Sequence, residues 1–405
     1  MKKVMLLGLL FLFIYVTTFN IFMTGIFRIP APVVFLAPLL YFFRTDEKDF
    51  LYGKEMVVFF LAGLFFYVIG QADIAGFFAL MIVAACFALL FNYVVGMDLK
   101  RMKILIGFFF GVLIVSGIIM FIDHKINMAG LRSLLVGEQV LQAPSGISTT
   151  IFTFGYQMAA LTPFLVISTI LFRKNWFFSL IIFGFAIALI FFGMQRSVLL
   201  AFGLVLGLFF LCLYKAKSIL IFGLICGTFF LAQSSIEQFS EGKKQQNILN
   251  KNVENARGKE ERGDLMSENL DIIADYPFGL VFYGKTWNDV VQHNFVYKKG
   301  PIVITSHNAY LMFITYLGPL LSFIFLVLLY QKVGKIIFNA FLHIKEKKNA
   351  LLICLCCSFI AISVNSFFHN EWLLATSGPT LFLYFAILQL SRIRANEEAL
   401  VVITE

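Results

Sequence analysis

The chain has 405 residues, 60% of them hydrophobic and 14% charged, with a mean hydropathy of +0.88. That leaves too little polar surface for a soluble globule and indicates an all-α integral membrane protein. The formal charge of +9 lies in short clusters between apolar runs, so it reports topology and not nucleic-acid binding.

A span needs about 20 apolar residues. Runs of that kind predict twelve helices, near residues 4–24, 29–43, 55–71, 74–95, 104–122, 156–172, 176–193, 197–214, 218–235, 307–330, 349–368 and 372–390. Lys2 and Lys3 precede an apolar run longer than a signal-peptide core and without a small-x-small cleavage site, which predicts an uncleaved first span. The basic clusters Lys2-Lys3, Arg44 to Lys54, Lys100 to Lys103, Arg173-Lys174, Lys215 to Lys217, Lys332 to Lys348 and Arg392 to Arg394 all fall on one side. The positive-inside rule makes that side cytoplasmic, with both termini inside.

The chain then divides into helices 1 to 9 over residues 1–235, a large outer loop over 236–306 between helices 9 and 10, and helices 10 to 12 over 307–405. A smaller outer loop, 123–155, carries Asp123, His124, Lys125, Arg132 and Glu138. Within the large loop, Met266, Leu270 and Ile273 follow i, i+4, i+7 spacing and predict a short amphipathic helix. Tyr276-Pro277 ends it. Residues 278–300 are expected to form an irregular or short-stranded cover. The segment 332–348 alternates basic residues with Ile336, Ile337, Phe338, Phe341, Leu342 and Ile344, the pattern of an interfacial amphipathic helix.

All six cysteines fall in apolar runs, with no ligand spacing, so neither a disulfide framework nor a metal site is implied. The spans are nearly free of Asp and Glu. Arg28, Asp73, Arg196, His307, His369 and Glu371 gather at their outer ends. Ionisable groups are costly in a bilayer, so this rim is where chemistry is expected.

Arg196, in a polar break between two spans, suits a bidentate phosphate contact, with Gln195 and Ser197 as further donors. His307 opens an apolar helix after Thr305 and Ser306, either of which can cap it. In the first turn the helix dipole would keep the imidazole neutral, the form a general base needs. Asn308 and Tyr310 accompany it, and Gly318 on the same face lets a neighbour approach. Arg262 precedes the loop helix among acids, and His369-Asn370-Glu371-Trp372 joins the last two spans, with Trp372 read as a belt aromatic.

Taken together, Arg196-Ser197-Val198-Leu199-Leu200, His307-Asn308 followed by Gly318, and Arg262 to Gly279 resemble the motifs of the O-antigen ligase family and its relatives, the Wzy-type O-antigen and exopolysaccharide polymerases. The chain departs at Leu321, where ligases often have Gly, Thr or Tyr. The resemblance implies a GT-C-like fold in a bacterial inner membrane with its active site on the periplasmic face. It also implies a glycan donor on undecaprenyl diphosphate, and an acceptor hydroxyl on another glycan or on lipid A core. In that scheme His307 is the base and Arg196 and Arg262 hold the diphosphate. Gln195, Asn308, Tyr310, His369 and Glu371 line the substrate, and neither metal nor other cofactor is needed. A polysaccharide flippase or other transporter is the rival expectation, and a scaffold without chemistry the third.

Overall fold

The computed structural model describes residues 2–19, 21, 49–142, 144–173, 175–218, 248, 262–291, 298–299, 302–303, 305–370, 372–374 and 378–404. The expected helix 29–43, nearly all of 218–235, and Arg28, Glu371 and residues 236–247 and 249–261 of the large loop lie outside them. Among the described residues the regular elements are helices apart from one antiparallel pair of two-residue strands, Lys298–Lys299 with Ile302–Val303.

Seven described helices are long and apolar enough to cross a bilayer: α2 (Gly53–Gly70), α3 (Ile74–Val95), α4 (Leu99–Asp123), α6 (Ile151–Arg173), α8 (Arg196–Lys217), α11 (Ala309–Leu342) and α12 (Lys347–Asn365). Shorter apolar helices are α1 (Lys2–Thr18) and α7 (Trp176–Phe192). α5 (Ala129–Val136), α9 (Arg262–Asp275) and α10 (Trp287–Val291) lie between spans, and α13 (Gly378–Thr404) closes the chain. Helices satisfy every backbone polar group internally, which lipid requires. The chain is a multi-pass membrane protein.

Contacts divide it into two compact units: Met1–Val112 with Glu261–Ile336 and Ser366–Glu405, and Leu113–Glu260 with Ile337–Asn365. In the first unit, Phe382 of α13 packs among Phe87, Phe91 and Phe109, stacked on the last at 3.9 Å between centroids. At one end of α2, Glu55 is buried and paired with Lys332, so one acid does enter an apolar helix. Nearby Tyr52 donates to Gln389, whose amide reaches the Gly96 carbonyl at 2.5 Å.

In the second unit α12 packs along α6 and α8. Pro163 interrupts α6 and removes an N–H from its ladder. Ser358 of α12 supplies a donor one turn earlier, to the Ala160 carbonyl at 2.7 Å. Cys354, Cys356 and Cys357 are buried in the same helix.

The expected span 307–330 is not one rod. Gly318 has φ 77° and ψ 160°, outside the helical region, and Pro319 follows. The hydroxyls of Tyr310 and Tyr330, twenty residues apart, meet at 2.8 Å, and Ser322 Oγ donates to the Phe313 carbonyl at 3.1 Å. Along a straight helix those pairs would stand about 30 and 13 Å apart. The chain therefore doubles back at Gly318 into a hairpin, with a first arm of 309–317 and a second of 319–342. Pro319 suits the first position of the second arm, where no N–H is needed.

The second arm is about 36 Å long, and it carries residues 332–342 as uninterrupted helix rather than as a separate interfacial element. Val333 and Ala340 are buried on it. The run's total length made a single span plus a surface helix look right, whereas the break falls at the Gly-Pro pair.

Candidate functional site

The first arm lies inside the first unit. Phe313 and Tyr316 pack on Phe66 of α2 at 5.5 and 5.4 Å, and Tyr310 and Phe313 on Trp372 at 5.2 and 4.9 Å. Trp372 is 1% exposed, so it is a core residue of this site and not a belt aromatic.

His307 stands just before the arm, not within its first turn. The helix begins at Ala309, and the cap is Asn308, whose Oδ1 accepts from Leu311 N at 3.0 Å. Neither Thr305 nor Ser306 caps it. Asn308 succeeds because a residue at the cap position has extended backbone and a short acceptor, while His307 takes a left-handed φ of 52°. A left-handed conformation is uncommon for a residue with a Cβ and is held only where surroundings fix it.

The fixing groups come from the link after α12. Ala309 N donates to the carbonyls of Ser366 and His369 at 3.0 and 2.9 Å, and Asn370 Nδ2 donates to Thr305 Oγ1 at 2.6 Å. His307, Asn308, Tyr310 and His369 are thereby brought together. His307 and Tyr310 are half-buried; Asn308 and His369 are buried.

The large loop closes one side. α9 buries Leu265, Asn269 and Ile272, while Met266 and Leu270 point outward. The expected face was thus one residue out of register. A polar residue holds its centre: Asn269 Oδ1 accepts from Thr315 Oγ1 at 2.7 Å, and its Nδ2 lies 3.5 Å from Met312 Sδ. Beyond α9 the chain reaches the hairpin tip. A Cβ on Gly279 (φ 87°) would overlap the backbone of Leu317 and Gly318 and stand 2.6 Å from the Tyr316 carbonyl oxygen, so two glycines permit a backbone-to-backbone contact. Gly70, at the end of α2, would likewise place a Cβ 3.1 Å from the Tyr316 ring and 3.2 Å from Val281.

These contacts fix a direction. α9 leads through Asn269 to Gly279 as the first arm leads through Met312 and Thr315 to Gly318, so both helices run toward the tip. Arg262 is the first described residue of α9, about 10 Å of helix rise before Asn269, and His307 lies two residues before the first arm and eight before Thr315. The two helix starts lie at the same end. The Arg262 side chain and Glu371 are outside the described residues.

Arg196 belongs to the second unit, at the first position of α8, half-buried. Gln195 beside it is 2% exposed, and its amide donates to the carbonyls of Ile151 and Gly193 at 2.8 and 2.9 Å. Its amide nitrogen thus links the start of α6 to the turn before α8. No family model and no curated protein sequence matches this chain.

The smaller outer loop, 123–155, is organised by Arg132 of α5, which is fully buried. Its guanidinium pairs with Asp123 at 2.7 Å, donates to the carbonyls of Gly146 and Gln142 at 2.8 and 3.0 Å, and reaches Ser145 Oγ. Burial lowers its pKa, and Asp123 works against that shift. The sequence marked Arg132 only as a charged loop residue, and Asn269 and Asn365 were not singled out. The last is buried in the second unit near Gly155, with neither side-chain atom hydrogen-bonded among the described residues. A polar residue within an apolar run was the available signal for Asn365, whereas Asn269, among Ser267, Glu268 and Asp271, carried none.

Proposed function

We propose that this chain is a membrane glycosyltransferase of the O-antigen ligase and polymerase kind, GT-C-like in fold, acting on a glycan carried by undecaprenyl diphosphate. The observation that supports it is the pairing of two helix starts, one opened by Arg262 and one preceded by His307, at the same end of the first unit.

The two starts differ in what they offer. Amides of the first arm are already engaged, Ala309 N by the carbonyls of Ser366 and His369 and Leu311 N by Asn308, so that arm binds anions poorly. It holds His307 beside buried Asn308 and His369, and His307 is assigned as base. Arg262, the first described residue of α9, is assigned to the diphosphate on the sequence motif, a guanidinium being suited to bidentate phosphate contact. His307 takes the proton of an acceptor hydroxyl as that oxygen bonds to the anomeric carbon. The bond from that carbon to the diphosphate oxygen breaks, and the diphosphate leaves with the electron pair, its charge met by Arg262. Arg196 is the second arginine of the sequence motif, and a role for it in binding diphosphate rests on that resemblance alone. The reading places the reaction at the periplasmic face of a bacterial inner membrane, with both termini cytoplasmic.

In reconstituted vesicles, His307→Ala and Arg262→Ala are expected to abolish glycan transfer while leaving backbone amide protection of residues 309–317 unchanged. Transfer at the wild-type rate in His307→Ala would refute the assignment. The same broken helix favours one rival, a polysaccharide flippase or other transporter, because such proteins often bind substrate at discontinuous helices. Movement of lipid-linked glycan between leaflets without any new glycosidic bond would establish that rival.

A further inference from the structure

The second unit carries a groove of about 720 Å³ far along the chain from the residues assigned above. Its floor is apolar, from Leu171 near the end of α6, Leu213 near the end of α8 and Ile344 in the link to α12. Trp176 and Tyr214 flank it, Trp176 77% exposed. Lys345 and Lys347 line its mouth.

The surrounding charge has one sign. Arg173 follows Leu171 by two residues, and Lys215 and Lys217 follow Tyr214. All three are exposed, as are Lys345 and Lys347. The acid in the lining, Glu346, is already engaged by Lys348 at 3.4 Å and Asn349 at 3.1 Å. Cations therefore surround an apolar trough whose edge holds the two aromatic types that favour the lipid headgroup level.

We infer that this groove binds one anionic phospholipid, with its phosphate at Lys345 and Lys347 and the upper part of an acyl chain on Leu171, Leu213 and Ile344. The charge selects the headgroup: a zwitterionic lipid brings its own cation to a site already crowded with them, whereas an anionic one neutralises it. The volume lies within the range of small-molecule sites and accommodates a headgroup with its glycerol, not a whole lipid. The chain ends would continue into the bilayer.

Trp176 reports on occupancy directly. The full-length protein is reconstituted in vesicles of brominated phosphatidylglycerol or brominated phosphatidylcholine, and tryptophan fluorescence is read. Quenching attributable to Trp176, taken as the difference from Trp176→Phe, is expected to be several-fold more effective with the anionic lipid at low mole fraction. The double variant Lys345→Gln/Lys347→Gln is expected to lose that preference. Equal quenching by both lipids in the wild type would overturn the inference, as would an unchanged preference in the double variant. Displacement of the brominated phosphatidylglycerol by equimolar polyprenyl phosphate, but not by equimolar unlabelled phosphatidylglycerol, would assign the groove to the isoprenoid carrier and overturn it too. Relief of quenching by millimolar inorganic phosphate alone would show a bare anion site and refute the lipid.

Discussion

Gly279→Ala tests how the large loop is fastened to the hairpin. The new Cβ would overlap backbone atoms of Leu317 and Gly318, which cannot rotate away as a side chain can, and would stand 2.6 Å from the Tyr316 carbonyl oxygen. Gly279 also has φ 87° and ψ 150°, a region essentially reserved for glycine, at a cost of about 1 to 3 kcal/mol for other residues. With the overlap added, about 3 kcal/mol is a reasonable total, a shift of roughly 100-fold toward the undocked loop. Hydrogen exchange in detergent micelles should show α9 amides losing protection by about that factor. Gly284→Ala is the control: it also has positive φ, at 59°, but nothing lies within 4 Å of its Cβ, so its cost is only about 1 kcal/mol. Wild-type protection of α9 in Gly279→Ala, or equal losses in both variants, would refute the docking described here.

Three further outcomes are expected. A double-mutant cycle on Asn269→Ala and Thr315→Val should give a coupling of about 1 kcal/mol in thermal unfolding, since each group satisfies the other in a buried place; additive effects would deny the contact. Arg132→Ala should destabilise the second unit by about 3 to 5 kcal/mol by leaving Asp123 buried without its partner, and Arg132→Lys should recover only part, because an ammonium lacks the planar fork. The Thr286 backbone N–H, followed by its hydroxyl, lowers the pKa of Asp289. The resulting local order around α10 is present above the ordinary carboxylate pKa of about 3.9 and is lost as pH falls through the lower folded value. Thr286 amide protection should therefore drop on acidification in the wild type and stay low and flat in Asp289→Ala.

The apolar runs made most of the spans legible, because a helix of about 20 such residues is the simplest way to satisfy backbone in lipid. The hairpin was not legible from run length, since two packed arms and one long span share the same hydropathy. Gly318-Pro319 was its only local mark. Gly318 was expected to admit a neighbour, and that neighbour is the Phe278-Gly279 backbone. The face of α9 was misread because apolar spacing favoured Met266 and Leu270, whereas Thr315 made polar Asn269 the better fit. His307 was expected inside the first turn, but the helix begins two residues later, after Asn308, and Ala309 N is held by the carbonyls of Ser366 and His369, some sixty residues from His307, which no local pattern encodes.

The proposed activity is formation of a glycosidic bond from a lipid-linked donor with His307 as the base. The most direct test gives the purified protein a synthetic undecaprenyl-diphosphate repeat unit, with and without lipid A core, and resolves products by mass. The expected products are a longer lipid-linked glycan or a glycosylated core, with one undecaprenyl diphosphate released per bond formed, and both are lost in His307→Ala. An intact donor after prolonged incubation with folded wild-type protein, whichever acceptor is present, would contradict it.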